Sequence, residues 1–288
     1  MKHSNLTYES ADGGLTLHAE QFGPGRAPLT ILCLHGLTRN GRDFESLAAH
    51  LSQRYRVVVA DQRGRGLSEW DPNPANYKIP VYAQDMTRLL DYLEIEQAVL
   101  VGTSMGGLIS MVLGAALPGR VRGIVLNDIG PEVPAAGLAR LARSLGMRAD
   151  VRTWADAAAH ARRVNGQAFP DFEDADWLAF AGRIYRDDGS GRPVLAYDSA
   201  ILAGLAQEGD ADAVAPSLWP LWAQLQAIPM LVIRGGLSDI LSAEILERMA
   251  VSHPHLRALT LEQRGHAPML DEPAALAAID EFLRGLEP

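Results

Sequence analysis

Ser104 lies in Gly102-Thr103-Ser104-Met105-Gly106, after the apolar run Ala98-Val99-Leu100-Val101 and before a helix-like stretch from Gly107 to Leu113. A serine hydroxyl is a weak nucleophile at neutral pH, so it needs a base to take its proton and a backbone that exposes its oxygen. A sharp strand-to-helix turn supplies the exposure, and its crowding favours glycine two residues to either side. His266, in Arg264-Gly265-His266, is the candidate base, because imidazole is the side chain best suited to shuttling a proton near neutrality. A carboxylate must orient it. Asp239, at the end of Gly235-Gly236-Leu237-Ser238-Asp239, is the expected acid, and Asp128, in Asn127-Asp128-Ile129-Gly130-Pro131, is the alternative. Serine, histidine and carboxylate together perform acyl transfer through a covalent intermediate.

Such groups work only if a rigid frame holds them together. Both Ser104 and Asp239 follow apolar strand-like runs, the second being Met230 to Ile233, and His266 follows Leu256 to Leu261. In a parallel sheet, residues just past the strand ends gather at one carboxyl edge. Upstream, Asp12-Gly13-Gly14 between Leu6 to Ser10 and Leu15 to Phe22 signals a hairpin. Thereafter strand-like runs ending at Leu34, Ala60, Val101 and Leu126 alternate with helical patterns near 41–52 and 81–93. This alternation predicts a mainly parallel sheet with helices on both faces and an antiparallel hairpin at one edge.

The rhythm breaks after Gly130-Pro131-Glu132-Val133-Pro134. From there to about Ala227 no strand is expected, only helical stretches such as 137–145, 153–164 and 174–185, with Trp154, Trp177, Trp219 and Trp222 among them. Residues 132–226 are therefore expected to form a helical cap inserted in an α/β core of residues 1–131 and 227–288. An insertion at the carboxyl edge lies over the catalytic groups, so its inward face roofs the pocket. Trp154, Trp177 and Trp219, with His35 and Gly36 from the core, are the candidate pocket residues, and Phe169, Phe180 and Trp222 are further apolar groups available to it.

Taken in order, His35-Gly36, the segment Asp61-Gln62-Arg63-Gly64-Arg65-Gly66-Leu67-Ser68, the turn around Ser104, Gly-Leu-Ser-Asp ending at Asp239, and Gly265-His266 resemble the α/β-hydrolase superfamily. The similarity is to its bacterial cap-bearing branch of esterases, lactonases, cofactor-free haloperoxidases and carbon–carbon bond hydrolases. It covers residues 1 to about 131 and about 226 to 288. The resemblance implies an eight-stranded, mostly parallel sheet and an oxyanion hole formed by the amides of Leu37 and Met105. It also implies that Asp239 occupies the more common place for the acid, although some relatives carry it after the strand that precedes Asp128. Epoxide hydrolases and haloalkane dehalogenases share the scaffold but use an aspartate nucleophile, against which serine at position 104 argues.

The expected activity is hydrolysis of a carboxylester or lactone of a small molecule, with no metal or organic cofactor required. Carbon–carbon bond hydrolysis and acyl transfer use the same triad, and a non-catalytic small-molecule receptor is a further reading of the same fold. A net charge of −9 gives no reason to expect nucleic acid or an anionic membrane as partner. No apolar run approaches transmembrane length, and the single cysteine, Cys33, sits in an apolar strand as an inert thiol. These features read as a cytoplasmic protein. The segment from Asp61 to Ser68 reads as a structural turn in which Arg63 hydrogen-bonds loop carbonyls, and His253-Pro254-His255 as a surface turn rather than a metal site.

Overall fold

Four of the five residues in strand β3 (Thr30–Leu34) are apolar, and a pleated strand sends successive side chains to opposite faces, so both faces of its sheet must be covered. The computed structural model, which describes residues 3–147, 150–202 and 217–288, bears this out. Leu32 and Leu34 enter one core with Val58, Leu100, Leu126 and Val232. Ile31 and Cys33 enter the other with Val57, Val101, Val125 and Ile233.

The strands before the insertion are β1 (His3–Glu9), β2 (Thr16–Phe22), β3, β4 (Arg56–Ala60), β5 (Ala98–Thr103) and β6 (Val121–Asn127). The helices between them are α1 (Glu45–Leu51), preceded by a 3₁₀ turn, α2 (Ile79–Tyr92) and α3 (Met105–Ala116). The insertion contributes α4 (Ala135–Leu145), α5 (Trp154–Asn165), α6 (Asp174–Ile184), β7 (Tyr185–Asp187), β8 (Pro193–Leu195) and α7 (Trp219–Trp222). The chain then returns through β9 (Met230–Gly235), α8 (Ala243–Ser252), β10 (Leu256–Leu261) and α9 (Pro273–Arg284).

Eight strands form one sheet in the order β1-β2-β4-β3-β5-β6-β9-β10. The β1–β2 and β2–β4 pairings are antiparallel and the remaining five are parallel. Helices α1 and α9 cover one face, and α2, α3 and α8 the other. Because the order places β5, β6, β9 and β10 side by side, the loops after these four strands open at one edge.

Residues 135–195, between β6 and β9, carry a separate cluster in which Phe169, Trp177, Phe180 and Tyr185 pack on Ala157, Ala161 and Ala181. Thr153 and Asp156 satisfy each other's backbone amides at the start of α5, a reciprocal cap that fixes where this helix begins. The strand-free expectation for this insertion is corrected by the short antiparallel pair β7–β8. Its turn was readable in Asp187-Asp188-Gly189-Ser190-Gly191, where both glycines have positive φ and the Asp187 carboxylate accepts from both glycine amides. The strands were not, since three residues are too few to show alternation. Residues 148–149 and 203–216 of the expected cap lie outside the described residues. Among the described residues, no helix is long and apolar enough to cross a membrane.

Candidate active site

The turn between β5 and α3 holds Ser104 at φ +51°, ψ −114°, a backbone conformation that most side chains avoid. The flanking glycines show why the chain can make it. A Cβ on Gly106 would sit 1.9 Å from the Leu34 carbonyl oxygen, and one on Gly102 would sit 2.3 Å from the Gly106 carbonyl oxygen. Neither position admits a side chain without moving backbone. The Ser104 amide donates to the Asn127 carbonyl at 3.0 Å, which ties the turn to the end of β6.

His266 lies in the loop after β10, with Nε2 2.9 Å from Ser104 Oγ and Nδ1 2.8 Å from Asp128 Oδ2. An Nδ1 hydrogen directed at the carboxylate leaves the Nε2 lone pair to accept the serine hydroxyl, the tautomer that general-base catalysis needs. Asp128 is fully buried directly after β6, at φ +56°, and its amide donates to the Ile233 carbonyl. Its Oδ1 accepts the Gly235 amide at 2.8 Å, and its Oδ2 also accepts the Ser238 hydroxyl at 2.6 Å. These bonds satisfy a carboxylate that would be costly to bury alone.

The expectation that Asp239 orients the histidine is therefore corrected. Asp239 turns from His266 to pair with Arg140 of α4, whose Nε and Nη2 both donate to its carboxylate. Burial would raise the Asp239 carboxyl, but the Arg140 hydrogen bonds and charge outweigh it and hold the group below its usual range. The Gly-Leu-Ser-Asp segment does serve the acid, through the Gly235 amide and the Ser238 hydroxyl. Sequence reasoning missed Ser238, and also Asn127, whose Nδ2 bridges Thr103 Oγ1 at 3.0 Å and the Pro268 carbonyl at 2.8 Å.

Leu37 lies in the loop after β3 and Met105 at the first position of α3, where a helix leaves its amides unpaired. Among the described residues neither amide donates to a protein acceptor. The Gly36 carbonyl accepts from His35 Nδ1 at 2.8 Å and from the Arg39 amide at 3.2 Å. That carbonyl shares a peptide plane with the Leu37 N–H, so its two bonds also fix the amide's direction.

A cavity of about 160 Å³ opens on Ser104 and His266. Gly36 and Leu37 form one side, Leu141, His160 and Phe180 come from the insertion, and Tyr197 closes a further wall. Of the candidate pocket residues, Gly36 lines this cavity. His35, Trp154, Trp177 and Trp219 do not line this cavity. His35 is fully buried behind it, accepting the Gln62 amide at Nε2. Burial, the largest influence on it, pulls its imidazole down from 6.5 to about 4, so it is neutral in the fold. Trp154 and Trp177 pack in the insertion's own cluster, and Trp219 lies under the Arg248 guanidinium while its Nε1 donates to Glu132. Phenylalanines 169 and 180 of the insertion line the cavity instead, with Phe44, His160 and Tyr197 as further aromatic groups.

Two further expectations change. Arg63 bonds carboxylates rather than carbonyls: Asp85 through two nitrogens at 2.7 and 2.8 Å, Asp71 at 2.6 Å and Asp12 at 3.2 Å. His253 is buried rather than on the surface, its Nε2 donating to the Leu225 carbonyl and its ring against Trp222.

Residues 30–273 match the model of a family described as alpha/beta hydrolase fold. A 3-hydroxybutyrate-oligomer hydrolase of Cupriavidus necator is 34% identical over 271 residues, covering 92% of each chain. A 2-(acetamidomethylene)succinate hydrolase of Mesorhizobium japonicum is 30% identical over 255 residues, covering 88% of this chain and 86% of that one. Among solved structures, an alpha/beta hydrolase of Novosphingobium aromaticivorans superposes with a TM-score of 0.88 at 40% identity, covering 98% of both chains.

Proposed function

The chain belongs to the α/β-hydrolase family, and from that premise we propose that it is a serine hydrolase cleaving carboxylester bonds of compact organic substrates through an acyl-enzyme on Ser104. The observation that carries this reading is the unbroken hydrogen-bond chain from Ser104 Oγ through His266 to the buried Asp128 carboxylate. The serine oxygen attacks the ester carbonyl as its proton passes to His266 Nε2, and the negative oxygen so formed is held by the amides of Leu37 and Met105. Asp128 stabilises the imidazolium. Collapse of the intermediate breaks the carbon–oxygen bond, and the departing alkoxide takes the proton from Nε2. Water, deprotonated by His266 in turn, attacks the acyl group and releases the acid.

The insertion acts in this reading as the cap over the cavity. Short hydroxy-acid esters are the favoured substrates, supported by the small cavity and by similarity along most of the chain to a 3-hydroxybutyrate-oligomer hydrolase. The test is incubation with a fluorophosphonate probe and with 3-hydroxybutyrate dimer and trimer beside p-nitrophenyl acetate. Labelling at Ser104, and turnover of these esters that disappears in a folded Ser104→Ala variant, are expected. Stoichiometric binding without turnover would identify a receptor instead, and cleavage of a carbon–carbon bond in a vinylogous diketone with no ester hydrolysis would reject the ester reading.

A further inference from the structure

The geometry points to Arg65 as a positioning residue for the oxyanion hole, an inference that rests on the serine-hydrolase reading above. Arg65 is fully buried in the loop after β4 and lies outside the cavity lining. Its Nε donates to the Leu37 carbonyl at 2.9 Å, Nη1 donates to the Arg63 carbonyl and to the Tyr82 hydroxyl at 2.8 Å each, and Nη2 reaches Met105 Sδ at 3.6 Å. One guanidinium thus touches both residues whose amides the proposed mechanism assigns to the oxyanion. Its plane is held by the rings of Tyr82 and Tyr77, with centroids 4.8 and 5.5 Å away.

The partners are informative because none is a carboxylate. Arg63, two residues earlier and equally buried, is bonded to three. Burying a cation costs free energy that a paired anion ordinarily offsets, and Arg65 meets that cost through direct contact with carbonyl dipoles, a hydroxyl, a thioether sulfur and aromatic faces, with the Asp198 carboxylate, bonded to the Tyr77 hydroxyl, acting on it without a direct ion pair. A structural clamp alone could be built more cheaply from a neutral group. What a neutral clamp lacks is positive charge beside the place where the tetrahedral intermediate becomes negative. Donors and charges fixed before the reaction stabilise developing charge without reorganisation. Arg65 therefore acts in two ways at once. Its fork locks the Leu37 loop to the start of α3, setting the spacing of the two amides. Its charge favours the oxyanion those amides hold. Lysine cannot substitute fully, because an ammonium has no planar fork to span the Leu37 carbonyl and Met105 together.

Arg65→Lys and Tyr82→Phe test this, the second removing one anchor of the guanidinium while leaving both oxyanion loops unaltered. Four readouts are taken on each: kcat and KM for p-nitrophenyl acetate, affinity for an aryl boronic acid that forms a tetrahedral adduct with the serine, affinity for the planar product acid, and the thermal midpoint. Arg65→Lys is expected to lower kcat about 10- to 100-fold, less than or comparable with deletion of a whole oxyanion donor. KM and product-acid affinity should stay within about twofold, and boronate affinity should fall in step with kcat/KM. Tyr82→Phe should move the same quantities in the same direction by a few-fold, and it decides the matter if Arg65→Lys does not fold. Failure of the fluorophosphonate to label wild-type Ser104 removes the serine-hydrolase reading and this role with it. Labelled wild type combined with a folded variant whose kcat and boronate affinity are unchanged, or whose loss lies in KM alone, overturns the role of Arg65 and leaves the hydrolase reading standing.

Discussion

At the scale of single residues, two carboxylates compete to orient one imidazole, and what separates them is the direction each side chain takes from its strand end. Asp128 leaves β6 with positive φ, which turns its carboxylate toward the neighbouring β9 and β10 loops, where His266 meets it at 2.8 Å. Asp239 stands four residues beyond β9 and is drawn off by Arg140. Asp128→Asn should therefore lower kcat by about 10⁴, the scale on which an amide fixes a triad histidine in the wrong tautomer. Asp239→Asn should cost far less, because the Ser104–His266–Asp128 chain survives it. Steady-state rates of the two variants on one ester check this, and the opposite ranking would return the acid to Asp239. Both aspartates were visible in the sequence as residues following apolar strands, as were Ser104 and His266. The choice between the acids was not visible, since neither the handedness of one backbone turn nor an arginine 99 positions away in the chain leaves a local mark. Arg65 was hidden for a related reason: its partners Leu37, Tyr82 and Met105 come from three separate elements.

At the scale of elements, the parallel sheet was legible because its strands are buried on both faces and read as apolar runs, and the sheet hairpin because Asp12-Gly13-Gly14 announces its turn. Within the insertion the helices showed through their spacing, whereas the three-residue strands β7 and β8 gave no period to detect. The prominence of tryptophan in that segment misled for a physical reason. Large aromatic rings stabilise a small subdomain best when buried inside it, and Trp177 is 2% exposed among Phe169, Phe172 and Phe180 rather than facing substrate. The element with the least tolerance is the strand-to-helix turn. Gly106→Ala places a methyl group 1.9 Å from a backbone oxygen of β3, so α3 must shift away from the sheet. Overpacking of this kind costs about 1–3 kcal/mol or more, and here the displaced element carries Ser104 and the Met105 amide. Chemical denaturation should show that loss, and fluorophosphonate labelling should slow by more than the stability change accounts for. A variant with wild-type labelling and stability would show that the turn relaxes freely.

At the scale of the whole molecule, the sheet edge and the insertion meet over one small space, and a hydrogen-bonded interior joins the loops that frame it. The cavity takes its floor from Ser104 and His266 and apolar walls from Leu141, Leu145, Val164 and Phe180 of the insertion, so p-nitrophenyl acetate and butyrate should be cleaved with higher kcat/KM than the laurate ester. Faster hydrolysis of long chains would mean that the insertion leaves an open groove. Beneath this space His35 couples the integrity of the fold to pH. Its neutral ring donates from Nδ1 to the Gly36 carbonyl and accepts the Gln62 amide at Nε2, and protonation would replace that acceptor with a second donor in a fully buried place. Burial above all holds the imidazole at about 4, against 6.5 for the ordinary side chain. Between those values the unfolded chain binds the proton that the native chain refuses, so stability is full above about pH 6.5 and is lost as the pH falls toward 4. A displacement of this size corresponds to about 3 kcal/mol, at roughly 1.4 kcal/mol for each tenfold change in the proton equilibrium. Urea unfolding followed from pH 7.5 to 4 should show this contribution in the wild type. His35→Gln should start less stable at pH 7.5, having lost a fitted acceptor, yet its curve should descend more shallowly by about that amount as other groups titrate equally in both. Parallel curves for the two proteins would show that His35 takes up a proton in the folded state as readily as in the unfolded one, and that acid lability arises elsewhere in the molecule.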